Sequence, residues 1–419
     1  DVESLARETG ALQRRREIRS AIDLLRLVLA YTILDWSLRL VGSWASVLGL
    51  GNLSPVAVRQ RLRKAVPYLG RLVGALLEQQ NPHPPRYPVR VRMEDATTVS
   101  RPGSQGTDFR LHVKWDLGLF SLTSIEVTDA HGGETLQRHP VQRGEIVLAD
   151  EGYAHRNGLG KLLAALVFFV IRINWQNLPL ETAEGQRFNL IAWLQAQTRF
   201  PCEVSVGVVT PEGRWPVRLI AQALPPEKAE AARRRAHQAS RKKGHTPRKE
   251  TLFAAGYILL LTNLSAGLWT AEAVLGLYRL RWQIELLFKR LKGLLSLVGL
   301  RAKDSALAQA YLLGKIVGLL LIEGPSVELA TGRLADWFQD ERQPISLWRW
   351  TSLWADLLRQ AIRGPLTASQ VLAALPRLRR YLCDSPRKRR QEAALIRRLL
   401  LGCASPEEVA AGCRMLAYA

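Results

Sequence analysis

Cysteine is scarce in this chain, with four in 419 residues, and no two of them form a Cys-x-x-Cys pair. Cys202, Cys383, Cys403 and Cys413 are scattered. That excludes a zinc-ribbon pattern and a disulfide framework. Long apolar runs are also missing. Stretches such as Leu312 to Ile322 are interrupted by Lys315 and fall well short of the roughly 20 residues that span a bilayer. No signal-peptide pattern opens the sequence. The expectation is a soluble, cytoplasmic protein of reducing surroundings with no membrane partner. Acidic residues are short as well, 37 Asp+Glu against 59 Lys+Arg, which leaves a net charge of +22. A surplus of that sign implies a polyanionic partner, because clustered Lys and Arg gain affinity for nucleic acid by displacing condensed counterions. Internal repeats and long disordered stretches are absent too. The 47% hydrophobic content is ample for packed cores, and the length predicts roughly two to four domains.

The first 80 or so residues read as helical. An apolar block from Leu24 to Ile33 is followed by Ser37 to Trp44, then by a turn at Leu48-Gly-Leu-Gly-Asn52. Ser54-Pro55 is a helix start, with Ser as N-cap and Pro at the first helical position. The helix it opens carries Arg59, Arg61, Arg63 and Lys64. Helix, glycine-containing turn and basic helix resemble a DNA-binding helix-turn-helix, and a plain helical bundle with a basic surface has the same pattern. Asn81-Pro-His-Pro-Pro85 is a linker signal.

After the linker the period changes to two. Val89, Val91, Met93 and Asp95 share one side of a strand and Arg90, Arg92 and Glu94 the other. Phe109 to Trp115 alternates in the same way, and Phe120 to Val127 completes an antiparallel meander. Ile146-Val-Leu-Ala149 is wholly apolar and reads as an interior strand that ends in Asp150. A helix near Leu159 to Ala165 and a strand from Val167 to Ile173 follow. Residues 176–256 read as an insertion. Its strand-rich part spans Cys202 to Val209 and Trp215 to Ala223, and its basic helical part, Pro226 to Lys249, includes Arg233 to Arg235 and Lys242 and Lys243. Tyr257 to Asn263 returns as a core strand. From Leu300 onward the pattern is helical, with a second basic run at Arg387 to Arg390.

The run Tyr278-Arg-Leu-Arg281-Trp-Gln-Ile-Glu285-Leu-Leu-Phe-Lys289-Arg-Leu-Lys292 carries the densest functional chemistry. On one continuous helix at about 100° per residue, with Tyr278 at zero, Arg281, Glu285 and Lys292 fall at about 300°, 340° and 320°. Four polar groups then line a stripe only about 60° wide. Leu280, Ile284, Leu287, Leu291, Leu294 and Val298 take the opposite, buried side. A carboxylate flanked by cations suits an anionic substrate held at a metal. Asp95, on the apolar parity of its strand, needs a compensating partner, and a divalent cation is the strongest one. Asp150 at a strand tip and Glu285 supply two more carboxylates. Hard oxygen ligands suit Mg²⁺, with Mn²⁺ as a substitute, and two such ions clamp the attacking and leaving oxygens in phosphoryl transfer. The histidines, His112 and His155 among them, receive no catalytic role.

Tyr, two residues, Arg, three residues, Glu, six residues, Lys is similar to the signature of the insertion-sequence-four family of bacterial transposases, to which the transposon-five transposase is related. Asp95-Ala-Thr-Thr98 resembles that family's first-aspartate motif, Asp150-Glu-Gly-Tyr153 its second, and Leu261-Thr-Asn263 precedes the helix in the same order. The likeness runs from about residue 20 to residue 320. It implies a ribonuclease-H-like α/β core and an Asp95, Asp150, Glu285 catalytic and metal-binding trio holding two Mg²⁺ ions. It also implies cut-and-paste excision by a homodimer in a synaptic complex with two terminal inverted repeats, followed by transfer into target DNA. In the transposon-five relatives excision passes through a DNA hairpin. Carried over, Tyr278, Arg281 and Lys292 contact transposon-end phosphates, with Lys289 beside them, and Trp282 either stacks on an extruded base or packs in the core. Two departures are Glu151, where many relatives carry a basic residue, and Ala96, where Gly is frequent.

The expected architecture is therefore an α/β ribonuclease-H-like catalytic core with an inserted β-rich subdomain, flanked by helical N- and C-terminal regions. Its segments are 1–82 (helical, DNA-binding), 83–175 (core, first part), 176–256 (insertion), 257–325 (core, second part) and 326–419 (helical, a candidate for dimerisation). The DNA-binding candidates are Tyr278, Arg281, Trp282, Lys289, Lys292, Arg59, Arg61, Arg63, Lys242 and Lys243. A nuclease on the same core that cuts without joining, and a non-catalytic DNA-binding descendant, are the alternatives. Among bacterial compartments the nucleoid is where such a protein is expected to act.

Overall fold

The computed structural model describes residues 1–13, 17–80, 89–119, 121–242, 244–297, 299–331, 343, 345–364, 388–400, 405 and 407–412. The linker signal at Asn81 to Pro85, Phe120, Lys243, Val298, Arg387, Cys383, Cys403 and Cys413 lie outside the described residues, as do the side chains of Lys388, Arg389 and Arg390.

The chain opens with α1 (Val2–Glu8), α2 (Ala21–Thr32), α3 (Leu38–Val47), α4 (Pro55–Lys64) and α5 (Val66–Gln80). Serine side chains start three of them. Ser20, Ser37 and Ser54 accept from the backbone N–H groups of Asp23, Leu40 and Ala57 at 3.1, 3.2 and 3.2 Å, satisfying donors that a helix start leaves orphaned. Next come β1 (Val91–Val99), β2 (Phe109–Asp116), β3 (Ser121–Asp129) and β4 (Ile146–Ala149). A 3-10 turn at Glu151–Tyr153, α6 (Arg156–Ala164), β5 (Phe168–Arg172), β6 (Leu180–Glu181) and α7 (Leu190–Gln195) follow. The hairpin β7 (Cys202–Thr210) and β8 (Gly213–Ala223) leads to α8 (Pro226–Lys242), α9 (Lys249–Ala254) and β9 (Tyr257–Thr262). The remaining helices are α10 (Ala271–Arg279), α11 (Trp282–Leu294), α12 (Ser305–Thr331), α13 (Leu347–Arg363) and α14 (Lys388–Leu400).

These elements fall into two compact units that interleave along the sequence. One comprises Asp1–Arg86, Ala96–Gly132 and Ile284–Pro386; the other comprises Tyr87–Asp95, Gly133–Gln283 and Arg387–Ala419.

In the first unit α12 packs against α2, α4, α5, α13 and β3. Added Cβ atoms on Gly314 and Gly318 would stand 2.6 Å from Thr32 Cγ2 and 2.3 Å from Ile33 Cδ1, and at Gly314 the short, branched Thr32 side chain, 3.1 Å away at its own Cβ, leaves a side chain little room. Lys315 does not interrupt the apolar helix as its charge suggests. Its side chain is fully buried and lies 3.1 Å from both carboxylate oxygens of Asp35, which also accepts from the Tyr311 hydroxyl at 2.5 Å. The ammonium donates as well to the Leu295 carbonyl. By length and composition alone Ser305–Val327 is long and apolar enough to cross a membrane, with a mean hydropathy of 1.7, contrary to the expectation that apolar runs are too short. Its most apolar window is 72% buried by the protein itself, as in the core helix of a bundle. The same unit holds the strand order β3-β2-β1. The β2–β3 pairing is antiparallel, running from Phe109↔Asp129 to Asp116↔Ser121. Asp116 Oδ1 fixes the turn by accepting from Gly118 and Leu119 N–H at 2.9 and 3.0 Å.

In the second unit the order is β1-β4-β5-β9-β8-β7-β6. The β1, β4 and β5 strands are mutually parallel, and every pairing from β5 to β6 is antiparallel. The 176–256 region is continuous with this sheet, because β8 pairs with β9 from Arg218↔Thr262 to Ala223↔Tyr257. Val147, Ala149, Phe169, Ile171, Leu219 and Leu261 of the sheet form one core with Leu159 and Leu162 of α6 and Leu190 and Leu194 of α7. Alternation in β1 and β2 was expected to set an apolar side against a polar one. Instead Arg92, Glu94, His112 and Lys114 are buried too. Arg92 is accommodated by Glu145 at 2.8 Å, with side chains only 7% and 1% exposed. A buried ion pair of this kind is tolerated because each charge meets its partner at hydrogen-bond distance.

Candidate functional site

Two carboxylates are placed by strand register. The β1–β4 ladder aligns Val91↔Ile146 through Glu94↔Ala149. Asp95 and Asp150 are the next residues on these neighbouring parallel strands, which lie about 4.8 Å apart. Parallel pairing at equal register sends both side chains to the same side. β4 needs four buried apolar residues to hold this place, and the chain leaves it at Asp150, whose Oδ1 accepts from Glu151 N–H at 2.8 Å and caps the 3-10 turn.

Tyr278 and Arg281 converge on this pair. The Tyr278 hydroxyl donates to Asp150 Oδ1 at 3.2 Å. The guanidinium of Arg281 spans the two acids, 3.3 Å from Asp95 Oδ2 and 3.7 Å from Asp150 Oδ2. Its own carbon lies 5.9 Å from the Tyr278 ring centroid. The three charged side chains are 15% (Arg281), 19% (Asp95) and 34% (Asp150) exposed. Burial pushes the Tyr278 phenol well above its ordinary value, the Asp150 charge adds to this, and Arg281 and Arg172 oppose it. Tyr278 is therefore a neutral hydrogen-bond donor over the whole physiological range.

The polar stripe is not carried by one continuous helix. α10 ends at Arg279, Leu280 and Arg281 form a tight turn, and α11 begins at Trp282. The N–H groups of Leu280, Arg281 and Gln283 reach back only three residues, to Leu277, Tyr278 and Leu280 carbonyls at 3.0, 3.0 and 2.9 Å, the tighter 3-10 pattern. The apolar face survives the break, since Leu280, Ile284, Leu287 and Leu291 are all buried. Glu285, Lys289 and Lys292 stand on the exposed face of α11 and belong to the first unit, whereas Asp95, Asp150, Tyr278 and Arg281 belong to the second. Trp282 is half-buried.

The other candidates are dispersed. Arg59 is exposed and Arg61 half-buried; Arg63 is exposed and sits 3.7 Å from Asp304. Lys242 is exposed at the end of α8. Glu151 turns toward Arg172, 3.9 Å away at the end of β5, so the extra carboxylate beside Asp150 has a cation of its own.

Sequence reasoning passed over three residues at this site. Tyr153 is 1% exposed, and its hydroxyl has no hydrogen-bond partner among the described residues. Burial raises its phenol far above the ordinary value, with Asp95, Glu134 and Glu94 adding to the shift. Glu134 lies against the backbone at Gly152, where a Cβ would meet its Oε2 at 1.9 Å. Glu134 thus reaches the backbone of the Asp150-Glu-Gly-Tyr153 turn. Arg172 is the third. The one signal in the sequence was the Gly152-Tyr153 pair, two and three residues after Asp150.

The donor set suits a hard divalent cation. Two carboxylates project side by side from adjacent strand ends, and a cationic group already compensates both. Among the described residues, no group of three or more His, Cys, Asp or Glu comes together to hold a metal ion, so the described geometry brings together two carboxylates only.

Comparison with known proteins bears on what such a site acts upon. Residues 90–321 match the model of the transposase DDE domain. The chain is 38% identical over 340 residues to a putative transposase, InsL, for insertion sequence element IS186A of Escherichia coli (strain K12), covering 77% of this chain and 90% of that one. It is 38% identical over 341 residues, with the same coverage, to the transposase for insertion sequence element IS421 of Escherichia coli. The transposase for insertion sequence element IS231E of Bacillus thuringiensis subsp. finitimus is 21% identical over 363 residues, 76% of each chain. The chain belongs to the transposase DDE-domain family, DNA-acting enzymes that depend on a divalent metal ion.

Proposed function

We propose that this protein excises and inserts an insertion sequence by Mg²⁺-dependent strand cleavage and transfer, with Asp95, Asp150 and Glu285 as its metal-binding carboxylates. The observation that carries the reading is the side-by-side register of Asp95 and Asp150 on β1 and β4, bridged by Arg281. The order β3-β2-β1 in one unit and β1-β4-β5 in the other supports a ribonuclease-H-like core. The spacing Tyr278, Arg281, Glu285, Lys292 supports placement in the insertion-sequence-four group. Glu285 is offered by the exposed face of α11, four residues beyond Arg281.

Bound Mg²⁺, two ions per site with Mn²⁺ as a substitute, would supply Lewis-acid polarisation of the scissile phosphate. The chain's own groups do the rest. Asp95 and Asp150 hold hard oxygen donors in fixed register. The Tyr278 hydroxyl and the Arg281 guanidinium present donors beside the acids, where a phosphate oxygen accepts them. Lys292 and Lys289 extend the positive surface along α11, with Trp282 at its start. Arg59, Arg61 and Arg63 on α4, preceded by α3 and a turn, fit a helix-turn-helix that reads the terminal inverted repeats. A homodimer pairing two ends and a nucleoid location complete the reading, and whether excision passes through a hairpin is an outcome of the assay below.

The test is direct. The protein is incubated with Mg²⁺ and a DNA fragment bearing the element's terminal repeats, and nicks, hairpins and joined products are resolved on denaturing gels. Glu285→Ala is expected to bind the fragment and cleave none of it. Cleavage equal to the parent's removes Glu285 from the site, and nicking without joined products favours a nuclease.

A further inference from the structure

α8 is a 17-residue helix of which only Ala229 is buried. It packs on α9. With Ala229 at zero and about 100° per residue, Ala232, Ala236 and Ser240 fall at about 300°, 340° and 20°, and all three are half-buried. This alanine face is the one turned to the protein. Arg233 serves it, since its Nε donates to the Leu252 carbonyl of α9 at 3.3 Å.

The opposite half is mainly cationic, with exposed Glu227 at about 160° and half-buried Ala231 at about 200° also on it. Lys228, Arg235 and Lys242, seven residues apart, fall at about 260°, 240° and 220°, a straight row about 21 Å long. Arg234 and Arg241 form a second row at about 140° and 120°, and Gln238 stands between the rows at about 180°. All six side chains are exposed. The acidic residues of the helix, Glu227 and Glu230, lie toward its start, where the helix dipole favours them. Glu230 is paired with Arg234 at 2.7 Å, both 65% exposed. The outer half carries no large apolar side chain, which excludes a docking helix held by hydrophobic contact.

The geometry points to α8 as a major-groove element for double-stranded DNA, with one cation row against each phosphate wall and Gln238 toward the base edges. This rests on the DNA-acting reading above and assigns it a surface outside the acid pair. The dimensions agree. A helix with side chains is about 10–12 Å across and the major groove is about 12 Å wide. Cations displaced to either side of the leading edge therefore meet opposite strands. Gln is a base-edge reader by hydrogen bonding, whereas Lys and Arg at the walls position without reading sequence.

The experiment uses the full chain, a 30-base-pair duplex in EDTA, and fluorescence anisotropy across a salt series. Lys228→Gln, Arg235→Gln and Lys242→Gln are combined in one variant, and Gln costs a solvated helix little. Circular dichroism and the melting curve check that the variant is folded. The expected result is a salt slope shallower by about 2–3, at about 0.9 for each phosphate no longer neutralised. An unchanged slope, with the parent binding the duplex, overturns the assignment. Equal losses on the duplex and on a single strand of the same sequence overturn the groove. A parent that does not bind the duplex at all sinks the DNA-acting reading instead, which separates the two failures.

Discussion

Replacing Arg281 by Met should strengthen divalent-metal binding while weakening DNA cleavage. The guanidinium stands 3.3 Å from Asp95 and 3.7 Å from Asp150, where any cation shared by the two acids must feel it. At an effective dielectric of 20 each such contact is worth about 4 kcal/mol before screening. The side chains are 15–34% exposed, so solvent reduces the net opposition to an incoming cation to about 1–2 kcal/mol. That is about 5–30-fold in dissociation constant. The assay is calorimetric titration of Mn²⁺ into the parent and into Arg281→Met, with Asp95→Asn as the variant that loses the site. Tighter Mn²⁺ binding in Arg281→Met, with lower cleavage of end-bearing DNA, is expected. Equal or weaker Mn²⁺ binding in that variant refutes the reasoning, because it means that Arg281 does not compete for the charge of the two acids.

Other consequences follow from packing and protonation. Tyr278→Phe removes the donor to Asp150 Oδ1; cleavage is expected to fall about tenfold, and an unchanged rate in single-turnover assays disproves its part. Gly314→Ala places a methyl group 2.6 Å from Thr32 Cγ2 and should cost about 1–3 kcal/mol in urea unfolding, although Ala is the better helix former by about 1 kcal/mol; a stabilised variant contradicts the close packing of α12 on α2. Burial pushes the Lys315 ammonium down to about 8 from 10.5, so between those pH values the unfolded chain holds the extra proton and stability from this group rises with pH. Burial pushes the Tyr68 phenol up to about 12 from 10.0, so above pH 10 the unfolded chain loses its proton first and stability falls. Melting curves from pH 7.5 to 11 should pass through a maximum near 9–10, and Lys315→Met should flatten the rising limb; identical limbs in the two proteins contradict the Lys315 assignment.

Much of the site was legible because its signals are local. A four-residue apolar run ending in Asp150 marks a buried strand tip, and Asp95 on apolar parity marks a carboxylate needing compensation. The buried Leu280, Ile284, Leu287 and Leu291 were legible from spacing alone. The break at Leu280–Arg281 was not, because Leu-Arg-Trp-Gln contains no Pro, Gly or capping residue. There the tertiary pull of Asp95 and Asp150 on Arg281 accompanies a turn that helix propensity does not forecast. The burial of Arg92 was equally hidden, since its partner Glu145 lies 53 residues away and alternating charge ordinarily marks a solvated face. Lys315 misled for the same reason: Asp35, 280 residues distant in sequence, is what lets a charged residue sit inside a core helix.

The central claim is that Asp95 and Asp150 are metal-holding catalytic acids and not a structural ion-pair cluster around Arg281. Single-turnover cleavage of terminal-repeat DNA in Mg²⁺ by Asp95→Asn and Asp150→Asn, with affinity for the same DNA measured in parallel, tests it most directly. The expected result is a loss of at least about a hundredfold in rate with DNA affinity changed by less than about threefold. Cleavage at the parent's rate by either folded variant contradicts the account.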